Sequence, residues 1–564
     1  RHTLYQLEVM KIQNYALLIV LTLCTLPVFA QLGSTHYIPP IHARDVGGQD
    51  ITSAYLYFST PYDNPATATT DPIVITISLG NGTVLGTQTI SAGAPASFNI
   101  GANILITNTE LNQALSTKGI IVSSTELFYT SLRVQSSSGN HSGYLTGKGA
   151  DALGSRFRVG LSQLNSNAGN HSFFTSIMAQ EDNTVVTISE YDNDLVFEPN
   201  ITTDSPLVIN LNAGESYTIT GYSSLVNTAN AEGFIGALIQ SDDAHPIVVN
   251  VGNLNSNEPT SNIANGSDVM MDQIVPENLV GSEYMLVRGN GNDLLERVLV
   301  VITQDNTDLY INGSATPNFT LGTAGDYIFI DQANLFLPDD GSAHRNMFIE
   351  ASESKGIYVY QFIGGRAGAN DPTIPDVPDA TPGMIFVPPL SCFFQNDVNA
   401  IPSVNEISPI FDQYVANVFI TSRVGNTVTL NGTTLDPTTA LANPGTTEWE
   451  TFNISMLTDD IAVVADGPIA IGLVGANNSA GFGGYYSGFA VTPEDTDTDI
   501  CTAAGPINLL ERFDGNPPTG GTWTPPLDSG TDIFDPTTDP ISNPSLIYNY
   551  VAVGDCDPID VDIT

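Results

Sequence analysis

The stretch from Met270 to Gly313, MMDQIVPENLVGSEYMLVRGNGNDLLERVLVVITQDNTDLYING, decides the fold class. An apolar segment punctuated by Pro276 is followed by a strand pattern at Glu283 to Val287 and a polar loop from Arg288 to Glu296. Arg297 to Thr303 and Asp308 to Ile311 are then rich in Val, Ile, Leu and Tyr, and Asn312-Gly313 closes the second run. Short β-branched and aromatic runs bounded by Asn, Asp and Gly predict strands joined by turns.

Working outward, the same cassette recurs. Strand-like triplets stand at Ile75-Thr76-Ile77, Val186-Thr187-Ile188, Leu309-Tyr310-Ile311 and Val428-Thr429-Leu430, with centres 111, 123 and 119 residues apart. Each precedes a turn rich in Asn, Asp or Gly. A second anchor, a turn and then an apolar strand, begins at Lys118-Gly119, His245-Pro246, Lys355-Gly356 and Gly467-Pro468. Glycine turns at Gly93, Gly214 and Gly325 lie between the anchors in three blocks, where positive φ is reason enough for glycine. Repeats of this length suit sandwich-sized units better than propeller blades of ~40–50 residues. The prolines after Ile38, Val275 and Val387 read as stops on strands that open blocks or as caps on a sheet edge.

The expected class is all-β: four related β-sandwich-like blocks and a C-terminal immunoglobulin-like sandwich. The blocks are 31–147, 148–266, 267–370 and 384–491. A Pro/Asp-rich linker covers 371–383, an acidic linker covers 492–500, and the last unit covers 501–564. Helical signals are confined to Thr109 to Ser116 and Asp331 to Leu337. Met10 to Ala30 reads as a signal peptide, with Lys11 before an apolar core and Val28-Phe29-Ala30 before the cut. That apolar run is shorter than the ~20 residues a membrane span needs. The sequence stops on a strand pattern, which is read as truncation.

Sixty acidic residues against 15 basic ones give a formal charge of -45. Such a surface repels nucleic acid and anionic membranes and favours cations or basic partners. Cys24 lies in the signal, Cys501 and Cys556 bracket the last unit as a disulfide pair, and Cys392 is left over as a small buried hydrophobe. Asp495, Asp497 and Asp499 alternate like the first ligands of a calcium loop. Ile500 then replaces the glycine such a loop needs, so a solvated linker is the competing reading. His141 and His171 repeat a Gly-Asn-His-Ser tetrapeptide, and His36, His42 and Asp45 form a further trial metal set. Ser352 and Lys355 have the Ser-x-x-Lys spacing but fall at a turn, not on a helix. No carboxylate spacing picks out a general acid and base.

The stretches Lys148 to Gly160 (KGADALGSRFRVG), Met178 to Ile188 (MAQEDNTVVTI), Asp272 to Pro276, Gly281 to Tyr284 and Phe386 to Cys392 resemble the IgG Fc-binding protein N-terminal domain family of Bacteroidetes surface proteins. The resemblance spans roughly Tyr37 to Val491. The last unit resembles the immunoglobulin-like repeats of gliding-associated surface proteins. The resemblance implies a secreted or cell-surface adhesin without catalytic residues, its partner an extracellular glycan or glycoprotein; calcium, from the spacing of Asp495, Asp497 and Asp499, is the one cofactor considered. The loops Arg288 to Glu296 and Ser136 to His141 are the expected contact surfaces. The alternatives are a structural stalk and a glycan-degrading enzyme.

Overall fold

The computed structural model describes residues 31–43, 50–60, 72–164, 171–199, 201–202, 205–256, 267–289, 296–331, 333–365, 381–409, 414–477, 480–489, 496–498, 505–512, 521–539, 546–551 and 559–563. The signal segment, Asp45, Cys501 and Cys556 lie outside them. Among the described residues the chain is all-β, as its patterning dictates, and the two helical signals are only the short 3-10 turns Asn108–Glu110 and Ala333–Leu335.

The second and third units share one topology. In the second, the strands Arg156–Arg158, Leu238–Gln240, Thr184–Ser189 and Leu207–Leu211 form one sheet in that order. Ser216–Tyr222, Ser172–Ala179, Ile247–Ser256 and Asp268–Ile274 form the other. Val186 and Ile188 from the first sheet share a core with Ile177, Ile219 and Val249 from the second. The third unit repeats the order with Glu283–Val287, Asn346–Ala351, Thr307–Ile311 and Phe319–Leu321 in one sheet. Its other sheet is Tyr327–Ile330, Arg297–Ile302, Ile357–Gly365 and Thr381–Phe386. The fourth keeps the pattern and adds the strand Leu441–Asn443 at an edge. The four triplets read from the sequence all occupy the third position across one sheet of their unit. In the first three the burial alternates with the period of two of a half-buried strand, whereas Val428–Leu430 is buried only at Val428.

Two block boundaries move. Asp268–Ile274 and Thr381–Phe386, which the prolines suggested as opening strands, hydrogen-bond to the preceding units and close them. Ser142–Thr146 and Gly481–Ser487 do the same for the first and fourth units. The second anchor also shifts in the first unit. Ile120–Ser136 is one 17-residue strand. Its first residues pair with Ile73–Leu79 and its last with Ile51–Ser59, so it serves both sheets where the later units use two strands and a turn.

The closing strands organise everything else. Ser142–Thr146 packs on Asp268–Ile274, which packs on Thr381–Phe386; that packs on Gly481–Ser487, which returns to Ser142–Thr146. The units thus form a closed circle around a common hub instead of a string. Glycines mark three seams between neighbours. A Cβ on Gly214 would lie 2.0 Å from the Gly80 carbonyl oxygen, and one on Gly236 would lie 2.0 Å from that of Gly325. One on Gly445 would lie 2.8 Å from the Gly313 nitrogen. Gly93 has the same turn geometry, φ 67°, with nothing within 4 Å. Gly214→Ala is therefore expected to cost about 1–3 kcal/mol beyond the left-handed backbone penalty, whereas Gly93→Ala pays only that penalty of roughly 1–2 kcal/mol. Equal shifts in the urea midpoint for the two variants would contradict the seam.

The last unit pairs Thr496–Thr498, Ile559–Ile563, Leu546–Val551 and Thr522–Thr524 in one sheet. Thr496–Thr498 runs parallel to Ile559–Ile563, so part of the expected acidic linker is a strand. Phe393, from the start of the fourth unit, enters this unit's core beside Leu509 and Trp523. Cys392 is disulfide-bonded, which corrects its reading as a free buried hydrophobe.

Candidate functional site

Two places concentrate polar chemistry: the hub where the closing strands meet, and a cleft between the second and third units.

The hub takes in three of the stretches that carry the family resemblance, those around Lys148, Asp272 and Phe386. Asp268 and Asp272 stand four residues apart, on one face of their strand. Asp268 accepts from the backbone nitrogens of Ser142 at 2.8 Å, Val269 at 2.8 Å and Gly481 at 2.6 Å, tying the first, second and fourth units together. Asp272 accepts from Gln273 N at 2.8 Å and Phe386 N at 3.0 Å, which brings in the third. Lys148 Nζ donates to Asp272 Oδ1 at 2.7 Å, and neither side chain is exposed at all. Burial lowers the Lys148 amine and raises the Asp272 carboxyl, while their mutual attraction opposes both shifts. Burial also holds Asp268 and the buried Asp151 well above the carboxylate range.

His36 belongs to the same region. Its Nδ1 accepts from Gly149 N at 3.1 Å, so Nε2 carries the proton and donates to the Phe128 carbonyl at 3.0 Å. Both ring nitrogens are thus engaged, and burial lowers its pKa to about 4. A neutral buried histidine contributes stability that is present above its unfolded value and lost as pH falls toward the folded one. Asp151 and Asp268, raised by burial, act in the opposite sense: their contribution is present at low pH and lost as pH rises. The informative quantity is therefore the difference between wild type and His36→Gln. It is expected to narrow by about 3 kcal/mol between pH 7 and pH 4, read from urea midpoints. A constant difference would place His36 elsewhere than in the hub.

The fourth unit meets the first through Arg133, which is 1% exposed. Its guanidinium donates to the carbonyls of Pro402 at 2.6 Å, Ser403 at 2.8 Å and Glu406 at 2.6 Å. It also lies 3.8 Å from the centre of the Tyr57 ring, and Tyr57 donates to Glu406.

The cleft, about 800 Å³, opens between the second and third units. Glu190, Asp192, Glu232, Asp326 and Tyr327 contribute its polar lining. Tyr327 donates to Glu232 Oε2 at 2.9 Å. Arg158 donates to Glu190, to Glu277 and to the Gly236 carbonyl, bracing the wall from behind. This lining offers acceptors and one phenol, suited to ammonium, guanidinium or hydroxyl donors.

Other expected sites are resolved differently. Ser352 Oγ accepts from Asp308 N at 3.0 Å, while Lys355 donates to the carbonyls of Asp305 and Asn306, so the two form a turn staple and not a nucleophile pair. Lys118 does equivalent work on the carbonyls of Ala102 and Leu105. His42 contacts Asn108 Oδ1 at 2.7 Å. His141 and His171 are both buried, and no group of three metal-ligating side chains occurs among the described residues. Asp497 lies on the strand Thr496–Thr498, while Asp495 and Asp499 fall outside the described residues. Of the expected contact loops, Ser137, Ser138 and Asn140 form an exposed hairpin tip; residues 290–295 of the other fall outside the description. The hub and the Arg133 seam were not anticipated. A lone arginine inside the apolar run of Ile120–Ser136 was the available signal for the second.

Residues 142–475 match the sequence model of the family described as IgGFc binding protein. The chain belongs to this family. The matched region starts at the first closing strand and takes in the Lys148, Asp268 and Asp272 joints. No curated protein matches the chain. Among solved structures, a Salmonella alpha-2-macroglobulin reacted with methylamine aligns at 8% identity over 93% of this chain and 44% of its own, with a TM-score of 0.10. The native E. coli alpha-2-macroglobulin aligns at 8% over 93% and 47%, with a TM-score of 0.11. The chain thus spans less than half of either protein, and superpositions this loose establish no shared fold. No helix among the described residues is long and apolar enough to cross a membrane.

Proposed function

We propose that this family member is a non-catalytic, exported surface protein that binds an extracellular glycoprotein or glycan. The family match over 142–475 carries the reading. The division of labour in the fold supports it. Three of the family-resembling stretches, around Lys148, Asp272 and Phe386, meet in joints inside the hub, which leaves the outer loops and the acidic cleft available for contact. A rigid ring offers such loops without an ordering cost at each encounter. The signal-like Met10 to Ala30 segment and the resemblance to Bacteroidetes surface proteins support export and an adhesin's role.

The test is saturable binding of the purified mature chain to an array of glycans, mucins and IgG Fc, in calcium and again in EDTA. Binding to one class, weakened several-fold by Glu232→Gln with Asp192→Asn, is the expected result. Loss in EDTA would implicate carboxylates such as Asp495, Asp497 and Asp499. A folded sample that binds nothing would support the stalk instead, and release of sugar products would support an enzyme.

A further inference from the structure

We propose that Lys148 and Asp272 become joined by an intramolecular amide bond that covalently fastens the end of the first unit to the closing strand of the second. Nζ and Oδ1 are 2.7 Å apart, at full burial on both sides. An ammonium has three protons to place, yet among the described residues Nζ has one acceptor, Asp272 Oδ1. Its remaining surroundings include the rings of Phe489, 4.8 Å from Nζ to the centroid, and Phe386 at 5.7 Å. Such a site solvates a charge poorly and favours the neutral amine beside the neutral acid. The direction of both pKa shifts agrees.

The carboxyl is also held for attack. Gln273 N donates to Oδ1 and Phe386 N donates to Oδ2, which polarises the carbon and orients it toward the amine. Proton transfer from ammonium to carboxylate along the existing hydrogen bond gives the amine and the acid. The nitrogen lone pair then attacks the Asp272 carboxyl carbon. A second proton passes from nitrogen to Oδ1, the C–Oδ1 bond breaks, and Oδ1 leaves as water. Oδ2 remains as the amide carbonyl and keeps the Phe386 N–H. No oxidant, metal or co-reactant enters the balance.

The bond is read directly by mass. The unfolded, reduced wild-type chain is expected to be lighter than its sequence by one water, and proteolysis is expected to release a peptide containing both the Lys148 and Asp272 segments. Lys148→Arg should restore the full mass and yield the two peptides separately. The wild-type measurement decides the matter even if the variant fails to fold. A full-mass wild type, or a lost water located at another pair of residues, overturns the proposal and leaves Lys148 and Asp272 as a buried ion pair.

Discussion

Asp272→Ala is expected to destabilise the protein by about 3–5 kcal/mol, because it strands a buried lysine without its partner. The substitution also orphans two backbone donors, Gln273 N and Phe386 N, in a place water does not reach. If the amide has formed, the variant additionally loses a covalent tie across 124 residues. Urea denaturation followed by far-ultraviolet circular dichroism measures the loss as a lower midpoint. Replacing both partners by apolar residues of similar volume, Lys148→Met with Asp272→Leu, is expected to recover part of it, since a desolvated pair is weak evidence of net stabilisation. A shift below roughly 1 kcal/mol for Asp272→Ala would be the size of an exposed pair and would place it outside the hub.

Arg133→Ala is the second large effect. Three charge-assisted hydrogen bonds to carbonyls disappear, along with the stacking on Tyr57, and the expected cost is roughly 3 kcal/mol or more. The loss should be local in its first consequence. The first and fourth units are neighbours in space but far apart in sequence, so their seam depends on contacts alone. Amide exchange and protease cleavage should rise at Pro402 to Glu406 before they rise in the second or third unit. Arg133→Lys should not rescue, because one ammonium cannot serve three carbonyls in the plane that a guanidinium fits. Unchanged exchange at Pro402 to Glu406 in Arg133→Ala would contradict the latch.

The all-β class and the unit repeat were legible because strand period and turn chemistry are local properties. Val186-Thr187-Ile188 alternates in sequence as it does in burial. Circular closure was not legible, because the closing strands contact one another across distances that no periodicity records. Asp268 and Asp272 are the clearest case. In a chain of charge -45 two more aspartates read as solvated surface, and only the fold reveals them as fully buried acceptors. Pro276 and Pro388 were read with the right effect and the wrong side, since they follow strands that end units, whereas Pro39 follows a strand that opens its unit. Gly214 was explained by positive φ alone, whereas the Gly80 carbonyl of the neighbouring unit also excludes a side chain there. That Cys392 is disulfide-bonded could not be read from spacing, since no neighbour in sequence marks it as a bonded cysteine. The acidic cleft draws its walls from Glu190 and Asp326, which belong to different units and share no motif.

One measurement bears most directly on the ring. Trp449 lies in the fourth unit, 3% exposed and 5.7 Å from Phe394, whereas Asp272 lies in the second. In a Trp523→Phe background the emission of Trp449 reports the fourth unit. A ring closed through the hub predicts that Asp272→Ala lowers the urea midpoint of Trp449 together with that of the whole chain. A Trp449 transition that stays at its wild-type midpoint would mean that the units unfold independently, and that the closing strands do not hold them as one body.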